Sequence, residues 1–303
     1  MKYDLILIRY GEIALKAKQT RRRFESTLVN NIKDALKSKN IKNTLRKEWG
    51  RIFVYSDEIE KCIDILKNIF GISSISPAIQ TESRIKEISK IAILISKQKL
   101  NRNKSFAIRA TRTGDHKFTS QDVAVQIGND IVKQTKASVN LTNPDFELFI
   151  EIRNNIAYLF IEKIKCYGGM PVGTQGKILA YVNSPNALLA SWYLIHRGCK
   201  PIFLSTDKIE KNVIDKFLSN WFIKSKIIVI SESNNTYEHI NKIGVDNNCD
   251  AVVTGFMLIE NSKNALEEIK QLKKQIIIPI LHPLIAMDKK EINRNLKLIG
   301  LMK

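Results

Sequence analysis

Five cations near the N-terminus, Lys16, Lys18, Arg21, Arg22 and Arg23, have the composition of a phosphate-contacting surface. Lysine offers a point charge and arginine a bidentate fork, so such a set gives salt-sensitive affinity for a polyanion without reading its sequence. A second set, Arg109, Arg112, Thr113, His116, Phe118, Thr119 and Gln121, mixes cations, hydrogen-bonding groups and an aromatic ring. That mixture suits RNA ends and single strands. It also admits a purely structural reading, in which Thr119 or Ser120 caps a helix, Phe118 is the hydrophobic staple and His116 is a loop residue. A third candidate, Tyr181-Val182-Asn183-Ser184-Pro185-Asn186, stands where an apolar run gives way to a helix-forming stretch. A helix N-terminus there would attract phosphate, while Ser184-Pro185 is equally an ordinary N-cap and N1 pair.

The charge of the whole chain sets the context for these residues. The 49 basic and 30 acidic residues give a formal charge of +19, a field that attracts polyanions. The first 175 residues hold 31 of the basic and 18 of the acidic residues, so the excess is concentrated there. Basic tracts are also common on solvated helix faces, and charge by itself leaves that reading level with nucleic-acid binding. With 44% apolar residues, 303 positions suffice for two or three compact domains. The longest apolar runs, such as Ile91 to Ile95 and Ile276 to Leu281, fall far below the roughly 18 residues of a membrane span. The N-terminal apolar run is too short for a signal peptide, so a cytoplasmic protein without a membrane partner is expected. Cys62, Cys166, Cys199 and Cys249 stand singly, without C-x-x-C spacing, and read as free buried thiols. The four isolated histidines define no metal site.

Periodicity indicates which elements carry the candidates. Tyr3 to Arg9 reads as a strand, Thr20 to Leu36 as a helix with Phe24, Leu28, Ile32 and Leu36 on one face, and Asn43 to Glu48 and Arg51 to Tyr55 as two strands around Trp49-Gly50. A helix from Glu58 to Phe70 and a strand from Ser74 to Ile79 complete a βαββαβ order, the ferredoxin-like pattern. Trp49 in this hairpin reads as a packing residue. A second unit follows: helix Ile85 to Gln98, strand Ser105 to Ala110, helix Ser120 to Thr135, then a hairpin of Phe146 to Ile152 and Ile156 to Ile161. Beyond Gly176, apolar runs alternate with helical stretches: Ile178 to Val182, Pro201 to Leu204, Ile227 to Ile230, Ala251 to Val253 and Ile276 to Leu281. That alternation predicts a doubly wound, mainly parallel sheet. Residues 167–176 supply a glycine-rich linker.

Several sequence words resemble one family along nearly the whole chain. Arg9-Tyr10-Gly11-Glu12-Ile13-Ala14-Leu15-Lys16, Arg21 to Phe24 and Trp49-Gly50-Arg51-Ile52 look like the ferredoxin-like domain of the tRNA 4-thiouridine synthetases, the ThiI-type tRNA sulfurtransferases. Arg109 to Gly114, His116, Phe118 to Gln121 and Leu141-Thr142-Asn143-Pro144-Asp145 resemble their THUMP domain, and Gly168-Gly169 with Pro171 to Gly176 their junction with the catalytic domain. The resemblance implies three domains, at 1–80, 81–166 and 167–303. The first two would bind the tRNA acceptor region through the two cation-bearing sets, so that uridine 8 reaches the third.

In that family the third domain is a PP-loop ATP pyrophosphatase, which adenylates the uridine oxygen before sulfur displaces AMP. ATP and Mg²⁺ are the cofactors this implies where the domain is active. The loop normally reads S-G-G-x-D-S; here Asn183-Ser184-Pro185-Asn186 lacks both glycines, and Asn186 stands at the aspartate. Tyr181, Val182, Asn183, Ser184, Asn186 and Gly255 are the nucleotide-side candidates. Val252-Val253-Thr254-Gly255 resembles a T-G-E segment, but Phe256 replaces the glutamate and Met257 to Lys263 lacks the expected words. His282 to Ile292 matches again. The sequence ends at Lys303, short of a cysteine-bearing segment seen in the family, and no cysteine occupies the sulfur-carrying place. The resulting expectation is a tRNA-binding protein with lost or impaired adenylation, served by a cysteine desulfurase or a separate sulfur-carrying or catalytic subunit. The alternative is an active sulfurtransferase with an external persulfide donor. The family also implies a homodimer. A THUMP-bearing methyltransferase or deaminase would need a glycine-rich cofactor loop or an H-x-E with P-C-x-x-C zinc motif, and neither is present.

Overall fold

The structure, a computed structural model, describes residues 2–206, 209, 211–231, 235–258 and 265–302. Backbone contacts divide the chain into one unit of residues 1–9, 36–67 and 73–166 and another of residues 10–35, 68–72 and 167–303. Among the described residues no helix is long and apolar enough to cross a membrane.

The chain begins with β1 (Leu5–Arg9), a short 3₁₀ turn (Glu12–Leu15), α1 (Lys18–Ser38), β2 (Thr44–Glu48), β3 (Arg51–Tyr55), α2 (Ile59–Leu66) and β4 (Ser74–Glu82). This is the expected βαββαβ order. The helix expected to reach Phe70 stops at Leu66, because the following segment is recruited to another core. Phe70 stacks on Trp221 at 5.1 Å and meets Trp192 edge-on at 5.5 Å. Tertiary packing has overridden local periodicity there. β4 is longer than expected and runs through positions 80 and 81.

The next elements are α3 (Ile85–Lys97), β5 (Ser105–Thr113), α4 (Ser120–Thr135), β6 (Ser138–Val139), β7 (Phe146–Arg153), β8 (Ile156–Phe160) and β9 (Ile164–Lys165). β6 and β9, two residues each, are too short to leave a period-two signal. All nine strands share one sheet, in the order β2-β3-β1-β4-β8-β7-β5-β6, with β9 also on β4. β4 pairs β1 at its start and β8 at its end, both antiparallel. Alternation in β7 explains the layering: Leu148, Ile150 and Ile152 pack with Ile88, Ala92 and Ile95 of α3 and Val123, Ile127 and Ile131 of α4. The i, i+4 spacing along α4 places those three on one face. Ile127→Ala in this core should cost about 2–5 kcal/mol, read as a lower denaturant midpoint.

The second unit contains β10 (Lys177–Val182), α5 (Pro185–His196), β11 (Lys200–Thr206), α6 (Lys211–Asn220), β12 (Ile227–Ile230), α7 (Thr236–Asp246), β13 (Ala251–Val253), α8 (Ala265–Gln275), β14 (Ile280–Leu281) and α9 (Lys289–Leu298). The sheet order is β12-β11-β10-β13-β14, and every pair is parallel. The last strand is shorter than the Ile276 to Leu281 run predicts. Ile276 ends up buried beside Leu272 and Ile240, and Pro279, which has no N–H to give to a ladder, precedes the two paired residues. Residues 167–176 are not a free linker either. The Met170 N–H donates to the His196 carbonyl at 2.9 Å, and Gly169, at φ +74°, lies so close to His196 that an added Cβ would sit 2.2 Å from that oxygen.

Candidate functional site

At the start of α1, Lys16, Lys18, Arg22 and Arg23 are exposed, so four of the five expected cations face solvent. Arg21 differs. Its Nε lies 3.8 Å from Oε1 of Glu25, a buried carboxylate that also accepts from the Tyr10 hydroxyl at 2.8 Å. Part of its charge is therefore already matched. The first turn of α1 contains no acidic residue, so the positive end of the helix adds to the cations.

The second candidate set splits into two places. Arg109 and Gln121 line a pocket of about 410 Å³ with Phe106, Ile108, Val125 and Leu141. Arg109 is held by Glu147 at 2.7 Å and by the Leu141 carbonyl at 2.8 Å, which fixes its guanidinium at the rim. Arg112 and His116 form the other group: Nη1 of Arg112 is 3.3 Å from Nδ1 of His116, and Nε2 of His116 is 2.6 Å from the Asn154 carbonyl. Phe118 tilts against His116 at 5.1 Å and packs on the core that contains Val123, the staple geometry. Thr119 is the N-cap of α4. Its hydroxyl accepts from the Asp122 N–H, and Asp122 accepts from the Thr119 N–H, a bond that holds this carboxyl below its usual range. Thr113 and Gln121 are exposed.

The sheet face of the first unit also bears a charged cluster that sequence reading missed. Glu151 is approached by Arg51 Nε at 2.8 Å and Arg153 Nη1 at 3.1 Å, while Arg153 Nε reaches Glu48 at 3.2 Å. Arg46 lies over Phe53, 4.8 Å from the ring centroid. Burial brings the Arg9 guanidinium down to about 10, against the opposing pull of Glu151. These residues come from β1, β2, β3 and β7, whose pairing no local word reveals. Trp49, read as packing, is 68% exposed at the hairpin tip.

In the second unit a pocket of about 690 Å³ opens beyond the ends of β10 and β13. Those strands flank the point where the sheet order reverses, the usual ligand crevice of a doubly wound sheet. Tyr181, Asn183 and Ser184 contribute from one side, Thr254, Gly255 and Phe256 from the other. Two of the nucleotide-side candidates fall outside its lining. Val182 is fully buried in the core, and Asn186 turns its amide to the Met257 sulfur at 3.3 Å. Ser184 occupies the N-cap position of α5 with extended backbone angles, but its hydroxyl makes no capping bond. Thr254 shares a 2.7 Å hydrogen bond with Nδ1 of His282, whose imidazole is pushed below its usual pKa by burial. Tyr237, Glu267 and Gln271 reach the pocket from α7 and α8, far along the chain and without a motif that marks them. Residues 259–263 of the segment expected to lack the family words lie outside the described residues.

The implied group here is ATP with Mg²⁺, and its two halves fit differently. Aromatic walls from Tyr181, Tyr237 and Phe256 suit a base. The phosphate half fits poorly. Pro185 has no N–H, the Ala187 N–H already donates to the Ser184 carbonyl at 3.1 Å, and Gly255 is pressed onto this same turn. A Cβ at Gly255 would lie 2.4 Å from the Ala187 nitrogen. Among the described residues, the lining contains no lysine or arginine and two glutamates, Glu267 and Glu268.

An antiparallel βαββαβ sheet continued into a mixed second sheet, followed by a doubly wound parallel sheet, defines a ferredoxin-like domain, a THUMP domain and a PP-loop-like domain. The ThiI ferredoxin-like domain model matches residues 5–76, the THUMP domain model residues 82–162, and the model described as thiamine biosynthesis protein (ThiI) residues 203–303. A "Probable tRNA sulfurtransferase" of Methanobrevibacter smithii is 32% identical, over 99% of this chain and 87% of that one. The crystal structure of PH1313 from Pyrococcus horikoshii Ot3 superposes with a TM-score of 0.84 at 28% identity, covering 98% of this chain and all of that one. A 4-thiouridine synthetase solved as an RNA complex with bound ATP gives a TM-score of 0.82 at 25% identity, covering 99% of this chain and 85% of that one. This chain belongs to the tRNA sulfurtransferase family.

Proposed function

We propose that this protein binds the acceptor region of tRNA in the cytoplasm and presents it for thiolation of uridine 8, with its own adenylation step lost or impaired. The observation that carries the reading is the contrast between two helix starts: α1 begins amid four exposed cations, while α5 begins with a proline, a covered amide and, among the described residues lining its pocket, no lysine or arginine. The first supplies what phosphate contact requires. The second withholds what a pyrophosphate requires. In this reading the domains at 1–80 and 81–166 grip RNA, and 167–303 orients it.

The cysteines support an external sulfur source. Burial raises the thiol pKa of Cys62, Cys199 and Cys249, and that of Cys166 to about 12. A thiol held protonated is a weak nucleophile for accepting or passing sulfur. A cysteine desulfurase or a separate sulfur-carrying or catalytic subunit would then complete the chemistry. Two observations favour the second reading, an active ATP- and Mg²⁺-dependent sulfurtransferase with an external donor: the switch-point pocket remains about 690 Å³, and the similar synthetase was solved with ATP. The tRNA reading is tested by mobility shift with whole tRNA, an acceptor-stem minihelix and an unrelated RNA hairpin of equal length. The minihelix should retain most of the affinity. An unrelated hairpin that competes equally well would remove the acceptor assignment.

A further inference from the structure

We infer that the switch-point pocket of the second unit is a receptor for an uncharged nucleoside and discriminates against the corresponding triphosphate. The inference rests on the reading that this unit does not adenylate, and it names what the pocket takes instead. Three features carry it.

The first is the wall chemistry. Tyr181, Tyr237 and Phe256 line one pocket together with Asn183, Ser184, Thr254 and Gln271; the Gln271 amide donates to Glu267 at 3.1 Å and the Thr254 hydroxyl is engaged with His282, so each is held in place with hydrogen-bonding capacity left over. Planar bases are held by such walls, and amides and hydroxyls pair with base edges without demanding charge. The second is the acidic rim. Glu267 and Glu268 lie one turn before Gln271 and Leu272 on α8, and all four line the pocket. A carboxylate at a doubly wound switch point is a natural acceptor for ribose hydroxyls. It is also a like charge to any phosphate; Lys270, outside the lining, meets the exposed Glu267 at 3.4 Å, while Glu268 stands beside it and the described lining residues themselves include no lysine or arginine.

The third feature is the state of the α5 N-terminus, where a phosphate chain would otherwise lie. Of its first three residues, Pro185 offers no donor, Asn186 directs its side chain to Met257, and Ala187 spends its N–H on Ser184 beneath Gly255. The glycine is required here by close approach rather than by backbone angle, since any larger residue would meet the Ala187 backbone. The base and ribose half of a nucleotide site is thus kept, and the phosphate half is closed.

The test is equilibrium binding to the full chain of adenosine, guanosine and uridine, each compared with its triphosphate, with and without Mg²⁺. At least one nucleoside should bind, and its triphosphate should bind about tenfold or more weakly. In the Glu267→Gln/Glu268→Gln variant, altered only at exposed helix positions, that gap should narrow while nucleoside affinity changes less. A triphosphate that binds as tightly as its nucleoside, or a pocket that binds none of the three nucleosides, overturns the inference. Tight ATP binding without pyrophosphate release overturns it alone and leaves the tRNA reading standing; ATP turnover overturns both the inference and the loss of adenylation.

Discussion

The two helix starts of the second unit invite comparison, since each places a positive dipole end where an anion could settle. α1 surrounds that end with Lys16, Lys18, Arg22 and Arg23 and has no acidic residue in its first turn. α5 stands at the switch point of a parallel sheet, the better architectural position, yet Pro185, Ala187 and Gly255 leave its amides little room. A helix dipole is worth about 0.3–1 kcal/mol at an exposed end, too little to hold a polyphosphate unaided. The residues around the helix end decide whether a phosphate binds there.

Removing the cations is the strongest way to break the comparison. Lys16, Lys18, Arg22 and Arg23 replaced together by alanine should weaken tRNA binding on the order of a hundredfold and lower the salt slope by up to about 4 if each meets one phosphate. An unchanged slope would take α1 out of the interface. Arg21→Ala should do less than Arg22→Ala, because the Glu25 pair already engages Arg21. Gly255→Ala comes next. Its Cβ must displace backbone at α5, so it should cost about 1–3 kcal/mol in chemical denaturation while leaving tRNA affinity nearly intact. Stability equal to wild type would show that the turn is more open than described.

Arg109→Ala with Arg112→Ala should weaken acceptor-minihelix binding by about tenfold. Equal binding by variant and wild type would assign both residues to holding Glu147, Leu141 and the Gly114 turn. The smallest effect concerns pH. Burial depresses the folded imidazole of His282 below its usual value of 6.5, so the unfolded chain binds the proton first as pH falls. The contribution is fully present above 6.5 and is lost as pH drops toward the folded pKa. Urea midpoints should therefore fall less steeply with acid in His282→Gln than in wild type, and parallel pH profiles would contradict the assignment.

Much of this architecture can be read from sequence because it is written in local periods. Val123, Ile127 and Ile131 mark the buried face of α4, and the apolar runs of β10 to β13 mark a parallel sheet. Local periodicity extends α2 to Phe70, whereas its partners, Trp192 and Trp221, lie more than a hundred positions away. Trp49 reads as packing but is exposed, because a tight turn does not say which side its ring takes. Of the site, the cations of α1 and the Asn183-Ser184 turn are legible as words. Tyr237, Glu267 and Gln271 are not, since only the sheet's crossover order brings α7 and α8 to that opening. Asn186 and Val182 show the converse, sitting in the right word but facing away from the pocket.

The central claim is that this chain grips tRNA without activating it. The most direct measurement is tRNA-dependent release of pyrophosphate from labelled ATP, with mobility shift run on the same samples. A clear tRNA shift with pyrophosphate no higher than in the no-tRNA control is the predicted result. Turnover above that control, abolished by Ser184→Ala, would contradict the account and place a working adenylation site at the start of α5.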